Sequence, residues 1–164
     1  MNTVKLNKSK HNRTKFDCGV KALNNYLCQM ANQQSKKDSA RTYIIECKND
    51  SSLIIGFYTL TMISLNLNSL SEKLQNKHKN ATTAGLIARL AIDKKYKNNG
   101  FGQWLLIDAL RKLLTASETV GFPLVIVDAK DGAVAFYQKF GFTSFRHVPE
   151  KLFITISDIR KSIK

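Results

Sequence analysis

The chain has 164 residues, enough for one domain with a real core, and its 43% hydrophobic and 23% charged content is ordinary for a globular protein. Lys+Arg number 26 against 12 Asp+Glu, a net charge of +14 that favours a polyanionic partner, nucleic acid before an anionic membrane surface. Composition argues against three classes. No window approaches the roughly 18 apolar residues of a membrane span. The odd set Cys18, Cys28 and Cys47 has no C-x-x-C pair and reads as reduced thiols in a cytoplasmic protein. The scattered His11, His78 and His147 lack metal-ligand spacing, so no metal is expected.

Residues 1–15 form a basic leader with Lys5, Lys8, Lys10, Arg13 and Lys15, either solvated or part of an anion-binding face. Beyond Phe16-Asp17-Cys18-Gly19, the residues Val20, Leu23, Tyr26, Leu27, Met30 and Ala31 recur at helical spacing. They predict an amphipathic helix packed on the core, with Asp17 as its cap. Residues 33–39 are a polar connector. Arg41–Cys47 and Leu53–Ile63 read as two strands of a hairpin joined by turn chemistry at 48–52. Gly56 inside the second strand predicts a bulge or a close backbone approach.

Residues 64–84 are Asn- and Ser-rich and predict a long irregular loop, with a short helix around Leu70–Lys77. Leu86–Asp93 then reads as a buried strand. Lys97-Asn98-Asn99-Gly100-Phe101-Gly102 is a glycine turn, and it opens into a helix over Gln103–Leu114. Leu124–Ala129, apolar but for Asp128, predicts a buried parallel strand. Ala133–Phe140 predicts a helix ended by Gly141, and Phe142–Phe145 with Leu152–Ile156 a closing strand pair. The fold class is therefore α/β: a mixed sheet flanked by helices, with a parallel β-α-β unit at its centre, in one domain spanning 1–164.

Strand, glycine turn and helix in that order make a phosphate site. The first turn of a helix has free N–H groups and a positive dipole end, and glycine lets a phosphate approach. The turn is neither the G-x-G-x-x-G dinucleotide fingerprint nor a P-loop. Together with the downstream Ala133–Phe142 segment it resembles the GCN5-related N-acetyltransferases. The resemblance extends through Phe16-Asp17-Cys18-Gly19, Leu23, Tyr26-Leu27, Ala40–Tyr43, Gly56–Leu60 and Ala88–Asp93 to the acetyltransferase toxins of bacterial toxin–antitoxin pairs, over about residues 11–156. Lys97 stands where the family usually has Gln or Arg, and Ala88-Arg89-Leu90 where the toxins usually read Gly-Arg-Leu.

The resemblance implies transfer of an acetyl group from acetyl-CoA to a primary amine. It implies that the backbone of Leu90, Ala91 and Ile92 lines the pantetheine arm. Lys97, Asn98, Asn99, Gly100, Phe101, Gly102 and Gln103 would cradle the pyrophosphate. Tyr137 takes the place of the general acid: a phenol with pKa about 10 can donate to a thiolate whose conjugate acid is near 8.5. No general base stands out; Glu46, Asp93 and Asp128 are the nearest, and each serves equally well as a cap or ion-pair partner. An active site without a base suits the partly neutral α-amine of a charged tRNA better than a protein lysine near pKa 10.4. Arg89 is then the candidate for the acceptor end, with Lys36, Lys37 and Arg41 extending the track over phosphates. The expected partners are aminoacyl-tRNA, a ribbon-helix-helix antitoxin, operator DNA through that antitoxin, and a second copy in a homodimer. An acetyltransferase of proteins or small amines, and a non-catalytic binding module, are the alternatives.

Overall fold

The computed structural model describes residues 1–130 and 132–163. Its strands are β1 (Val4–Lys5), β2 (Arg41–Glu46), β3 (Ile54–Ser64), β4 (Thr83–Ile92), β5 (Leu124–Asp128), β6 (Thr143–Phe145) and β7 (Val148–Thr155). They form one mixed sheet in the order β1-β2-β3-β4-β5-β7-β6. The helices are α1 (Lys21–Asn25), α2 (Ala31–Lys36), α3 (Glu72–Lys77), α4 (Phe101–Thr119), α5 (Val134–Lys139) and α6 (Ile156–Ser162). Contacts divide the chain into two compact units, residues 1–61 with 88–109, and 62–87 with 110 onward; β4 and α4 each contribute to both.

In the first unit the expected hairpin forms, β2 running antiparallel to β3. Its core gathers Phe16, Tyr26, Leu27, Ile44, Phe57 and Ala91, with Leu6, Val20 and Leu23 packed against them. Gly56 is both things the sequence allowed. The β2–β3 register slips beside it, with Ile45 opposite Gly56 and Glu46 opposite Ile54. A Cβ there would lie 2.5 Å from Ile92 Cδ1 and 2.9 Å from the Ala91 carbonyl oxygen. Only glycine lets β3 come this close.

The leader is not a solvated arm. Val4 and Lys5 pair with Ile44 and Tyr43 of β2. Thr3 and Tyr58 both donate to Asp108 Oδ2 of α4, at 2.7 and 2.6 Å. His11 is buried; its Nδ1 accepts the Asn7 N–H, so Nε2 carries the proton and donates to Glu46 at 2.8 Å. Most of the segment is exposed, as expected of a basic leader, but these long-range hydrogen bonds tie it down, and they leave no periodic signal in the sequence.

Two further expectations need correction. Asp17 does not cap α1, whose N-cap is Val20 with no side-chain bond. Asp17 instead accepts the Gly19 N–H and the Asn24 amide and pairs with Lys94 at 2.8 Å; these partners hold its carboxyl well below the usual range. The amphipathic stretch is also not one regular helix. A five-residue π turn, Tyr26–Met30, interrupts it between α1 and α2.

In the second unit, β4 and β5 run parallel and β5 runs antiparallel to β7, so Leu124–Val127 are buried as a central strand demands. The region 64–84 is more ordered than its composition suggested. Ser71 caps α3 by accepting the Leu74 N–H, and Leu70 is fully buried in a cluster with Ala84, Leu124, Ile126 and Phe145. Ile156 does not close a strand. It opens α6, capped by Thr155 Oγ1 on the Asp158 N–H.

Gly56→Ala should destabilise the protein by about 1–3 kcal/mol, because the added methyl meets a backbone oxygen that cannot yield cheaply. Urea unfolding of the two proteins at matched m-value measures it.

Candidate active site

The site begins where β4 loses a neighbour. Its parallel register with β5 covers only Gly85, Leu86 and Ile87. Ala88–Ile92 continue the strand without β5 partners, so one edge of their backbone lacks strand pairing. An extended ligand can satisfy such an edge as an added strand. Leu90 and Ile92 are half-buried and Ala91 is buried, so side chains serve the core while backbone faces the edge.

β4 runs into Asp93, which is buried and fully used: Oδ2 accepts the Asp17 N–H and Oδ1 the Lys95 N–H. A 3₁₀ turn over Lys94–Tyr96 follows, then the glycine turn. Asn98 and Gly100 both have positive φ, 65° and 80°. At Gly100 nothing lies within 4 Å of where a Cβ would stand. The glycine is therefore required by its backbone angle and leaves open space in front of it. The 19-residue α4 starts at Phe101, one turn earlier than the apolar spacing began. Its first N–H groups, at Phe101, Gly102 and Gln103, are those a helix leaves unpaired. Exposed residues 97–100 and these amides suit a pyrophosphate chemically.

Lys97 is the departure. Its Nζ donates to the Cys18 carbonyl at 2.8 Å, closing the glycine turn against the segment that enters α1. In this structure it braces the turn from behind, with its charge still close by.

Arg89 on β4 is half-buried, and its guanidinium carbon lies 4.1 Å from the centroid of the Tyr26 ring. Among the described residues no hydrogen bond or ion pair engages that guanidinium. Among the described residues, then, Arg89 has no structural ion pair, the ordinary role of a half-buried arginine. The other predicted cations divide. Lys36 and Lys37, at the end of α2, are exposed without a described partner. Arg41 is committed to local structure: it donates to the Ser35 carbonyl at 2.8 Å and pairs with Asp38 at 2.6 Å.

Tyr137, on α5, is only 7% exposed, edge-on to Phe136 and Phe142. Burial, with a smaller contribution from the Asp128 charge, pushes its pKa up to about 12. Among the described residues nothing accepts its proton. It is a phenol held protonated, its hydroxyl without a partner among the described residues.

Each of the candidate bases has a partner, Asp128 the loosest. Glu46 is held by His11 and Lys10, which lower its pKa. Asp93 is spent on backbone amides, and Asp128 is exposed with Lys130 at 3.6 Å. The residue the sequence reading missed is Tyr26. It was placed in the apolar stripe; the available signal was a hydroxylated aromatic where leucine or phenylalanine would pack as well.

A family model described as the acetyltransferase (GNAT) domain matches residues 21–162. The chain belongs to this family. As a GNAT protein it is similar to the probable toxin TacT of Sinorhizobium fredii (strain NBRC 101917 / NGR234), at 27% identity over 94% of this chain and 91% of the relative. It is also similar to the tRNA-acetylating toxin of Mycobacterium tuberculosis (strain ATCC 25618 / H37Rv), at 28% identity over 92% of this chain and 89% of the relative. Among solved structures, a tyrosine-to-phenylalanine mutant of KacT superposes with TM-score 0.89 at 27% identity, covering 98% of this chain and 97% of that one. AtaT complexed with acetyl-methionyl-tRNAfMet gives TM-score 0.87 at 25% identity, with the same coverage. AtaTR has been solved with acetyl-CoA, a tyrosine-to-phenylalanine AtaT with acetyl-CoA and the C-terminus of the antitoxin AtaR, and the AtaT–AtaR complex with DNA.

Lys97→Met should loosen the glycine turn by removing its tie to Cys18. The expected outcome is a Tm lower by a few degrees and faster amide exchange over residues 97–102, measured by hydrogen–deuterium exchange.

Proposed function

We propose that this GNAT protein transfers an acetyl group from acetyl-CoA to the α-amine of aminoacyl-tRNA and so blocks translation. The observation that carries the reading is Arg89: a guanidinium over the Tyr26 ring that no hydrogen bond or ion pair engages among the described residues, on the same strand whose backbone edge and following helix suit the cofactor. The acetyl-CoA supplies an activated thioester. The backbone of Leu90, Ala91 and Ile92 holds the cofactor arm, and residues 97–103 hold the pyrophosphate, Gly100 by its open approach and Phe101, Gly102 and Gln103 by helix-end amides. Lys97 acts there through the turn it braces and through its charge. The relatives TacT, AtaT and the tRNA-acetylating toxin supply the analogy for substrate and for cofactor.

Tyr137 holds its proton at Oη and donates it toward the departing thiolate. A phenol near pKa 12 is a weaker acid than a thiol near 8.5, so its contribution is a hydrogen bond that strengthens as charge develops. The lack of a free carboxylate base fits an α-amine near pKa 7.7–8.0 or below, which is partly neutral without help. Arg89 engages the acceptor end, and Lys36 and Lys37 extend the phosphate track. Arg41 shapes the end of α2 beside them.

The rest of the reading concerns setting. The chain acts as a single domain in the bacterial cytoplasm, where charged tRNA and acetyl-CoA occur. It forms a homodimer and is neutralised by a ribbon-helix-helix antitoxin, the pair together binding operator DNA. No helix among the described residues is long and apolar enough to cross a membrane.

Incubation with acetyl-CoA and bulk charged tRNA, followed by mass analysis of the released aminoacyl ends, tests the reaction; unmodified ends would refute it. Tyr137→Phe should lose roughly 100-fold or more in turnover while acetyl-CoA still raises its Tm. Wild-type turnover should rise with pH as the α-amine deprotonates. The high pKa of Tyr137 keeps its proton in place far above neutrality, so no alkaline loss from this group should occur below about pH 10. A falling limb near pH 9 that vanishes in Tyr137→Phe would contradict this. The affinity for tRNA should weaken steeply between 50 and 200 mM salt, on the order of tenfold for every two phosphates neutralised.

A further inference from the structure

We infer that Tyr26 is the positioning residue for Arg89, its ring holding the guanidinium in one orientation for the acceptor end of charged tRNA. The inference rests on the role given to Arg89 above and adds the device that makes that role specific. A free arginine side chain carries about 2 kcal/mol of rotamer entropy, and binding a ligand would normally cost much of it. Stacking on an aromatic face removes that cost beforehand. The ring takes up one side of the guanidinium, while its N–H donors, which no hydrogen bond engages among the described residues, remain for carbonyl or phosphate oxygens.

The support under Tyr26 is extensive. The residue is 2% exposed. Its hydroxyl donates to Gln34 Oε1 at 2.7 Å, and its ring lies near-parallel to that of Phe57, centroids 6.4 Å apart. It opens the π turn, and Arg13 from the leader donates to the Cys28 carbonyl inside that turn at 2.8 Å. A π turn is less favourable than continuous α-helix and recurs at functional positions. Here it lies between two helical segments whose apolar stripe does not need it. Gln34, Phe57 and Arg13 thus fix the ring and the turn that carries it, and among the described residues the ring's one charged contact is Arg89.

Steady-state acetylation of bulk charged tRNA decides the matter. Tyr26→Leu keeps apolar bulk and removes the π face. It should raise the KM for charged tRNA about threefold to tenfold and leave the KM for acetyl-CoA unchanged. Tyr26→Phe, which keeps the ring, should restore the KM. In an Arg89→Ala background Tyr26→Leu should add nothing to the tRNA KM. An equal effect in both backgrounds, or a fall in Tm without a change in KM, would overturn the inference. Should Tyr26→Leu not fold, phenylalanines of increasing ring fluorination at position 26 keep the shape and weaken the ring quadrupole. The tRNA KM should then climb with fluorination, and a flat series would overturn the inference. Wild-type protein that leaves charged tRNA unmodified would instead refute the tRNA reading itself; wild-type activity with indifferent Tyr26 variants refutes only the part played by Tyr26.

Discussion

A parallel strand that outruns its partner governs this molecule. β4 pairs with β5 over Gly85–Ile87 and then continues to Ile92. Backbone N–H and C=O groups must find partners, and those of Ala88–Ile92 on that side have none in β5. The core permits this because β3 supports the other side of the strand at very short range. Gly56 brings β3 up to the Ala91 carbonyl, and that approach lets β4 stay straight and buried on one edge while open on the other. The strand then delivers the chain into a glycine turn and a long helix. What this stretch offers a ligand is thus backbone more than side chains. Gly56 therefore matters to a site it does not enter.

Positive charge is used in three different ways. Lys94, Lys97 and Arg41 are structural: one pairs with Asp17, one holds the Cys18 carbonyl, one closes the end of α2. Lys36 and Lys37 remain exposed, where they add to long-range attraction and little to geometry. Arg89 alone among these is half-buried over an aromatic ring and, among the described residues, without an acidic partner. A net charge of +14 is a statement about partners in general; the Tyr26–Arg89 contact fixes one cation at one place. The Tyr137 phenol is governed by the opposite principle. Burial and a nearby carboxylate keep it neutral, so it retains a proton over the range in which the substrate amine is losing its own.

The regular elements were legible because they repeat. β2, β3, β4, β5 and α4 have alternating, apolar or helical patterns, and each formed within a few residues of its expected span. The pieces that were not legible lack a period. β1 is two residues held by the hydrogen bonds of its neighbour. α6 begins at the last apolar residue of what reads as a strand, because Thr155 can cap a helix and the following residues turn polar. The leader looked solvated since its anchors, Thr3 to Asp108 and His11 to Glu46, join positions far apart in sequence.

The sequence by itself determined the order of elements, the glycine turn, the tyrosine on α5 and membership of an acetyltransferase lineage. These are local patterns or motif combinations, and they need no knowledge of what packs where. Tertiary structure alone decided which cations are free. Lys97 and Arg41, expected as ligand contacts, carry structural bonds as well, Lys97 to the Cys18 carbonyl and Arg41 to Ser35 and Asp38, while among the described residues Arg89 has an aromatic face and no acid. The Lys97–Cys18 and Arg89–Tyr26 contacts depend on distances of a few ångströms between residues tens of positions apart, and no one-dimensional pattern carries that information.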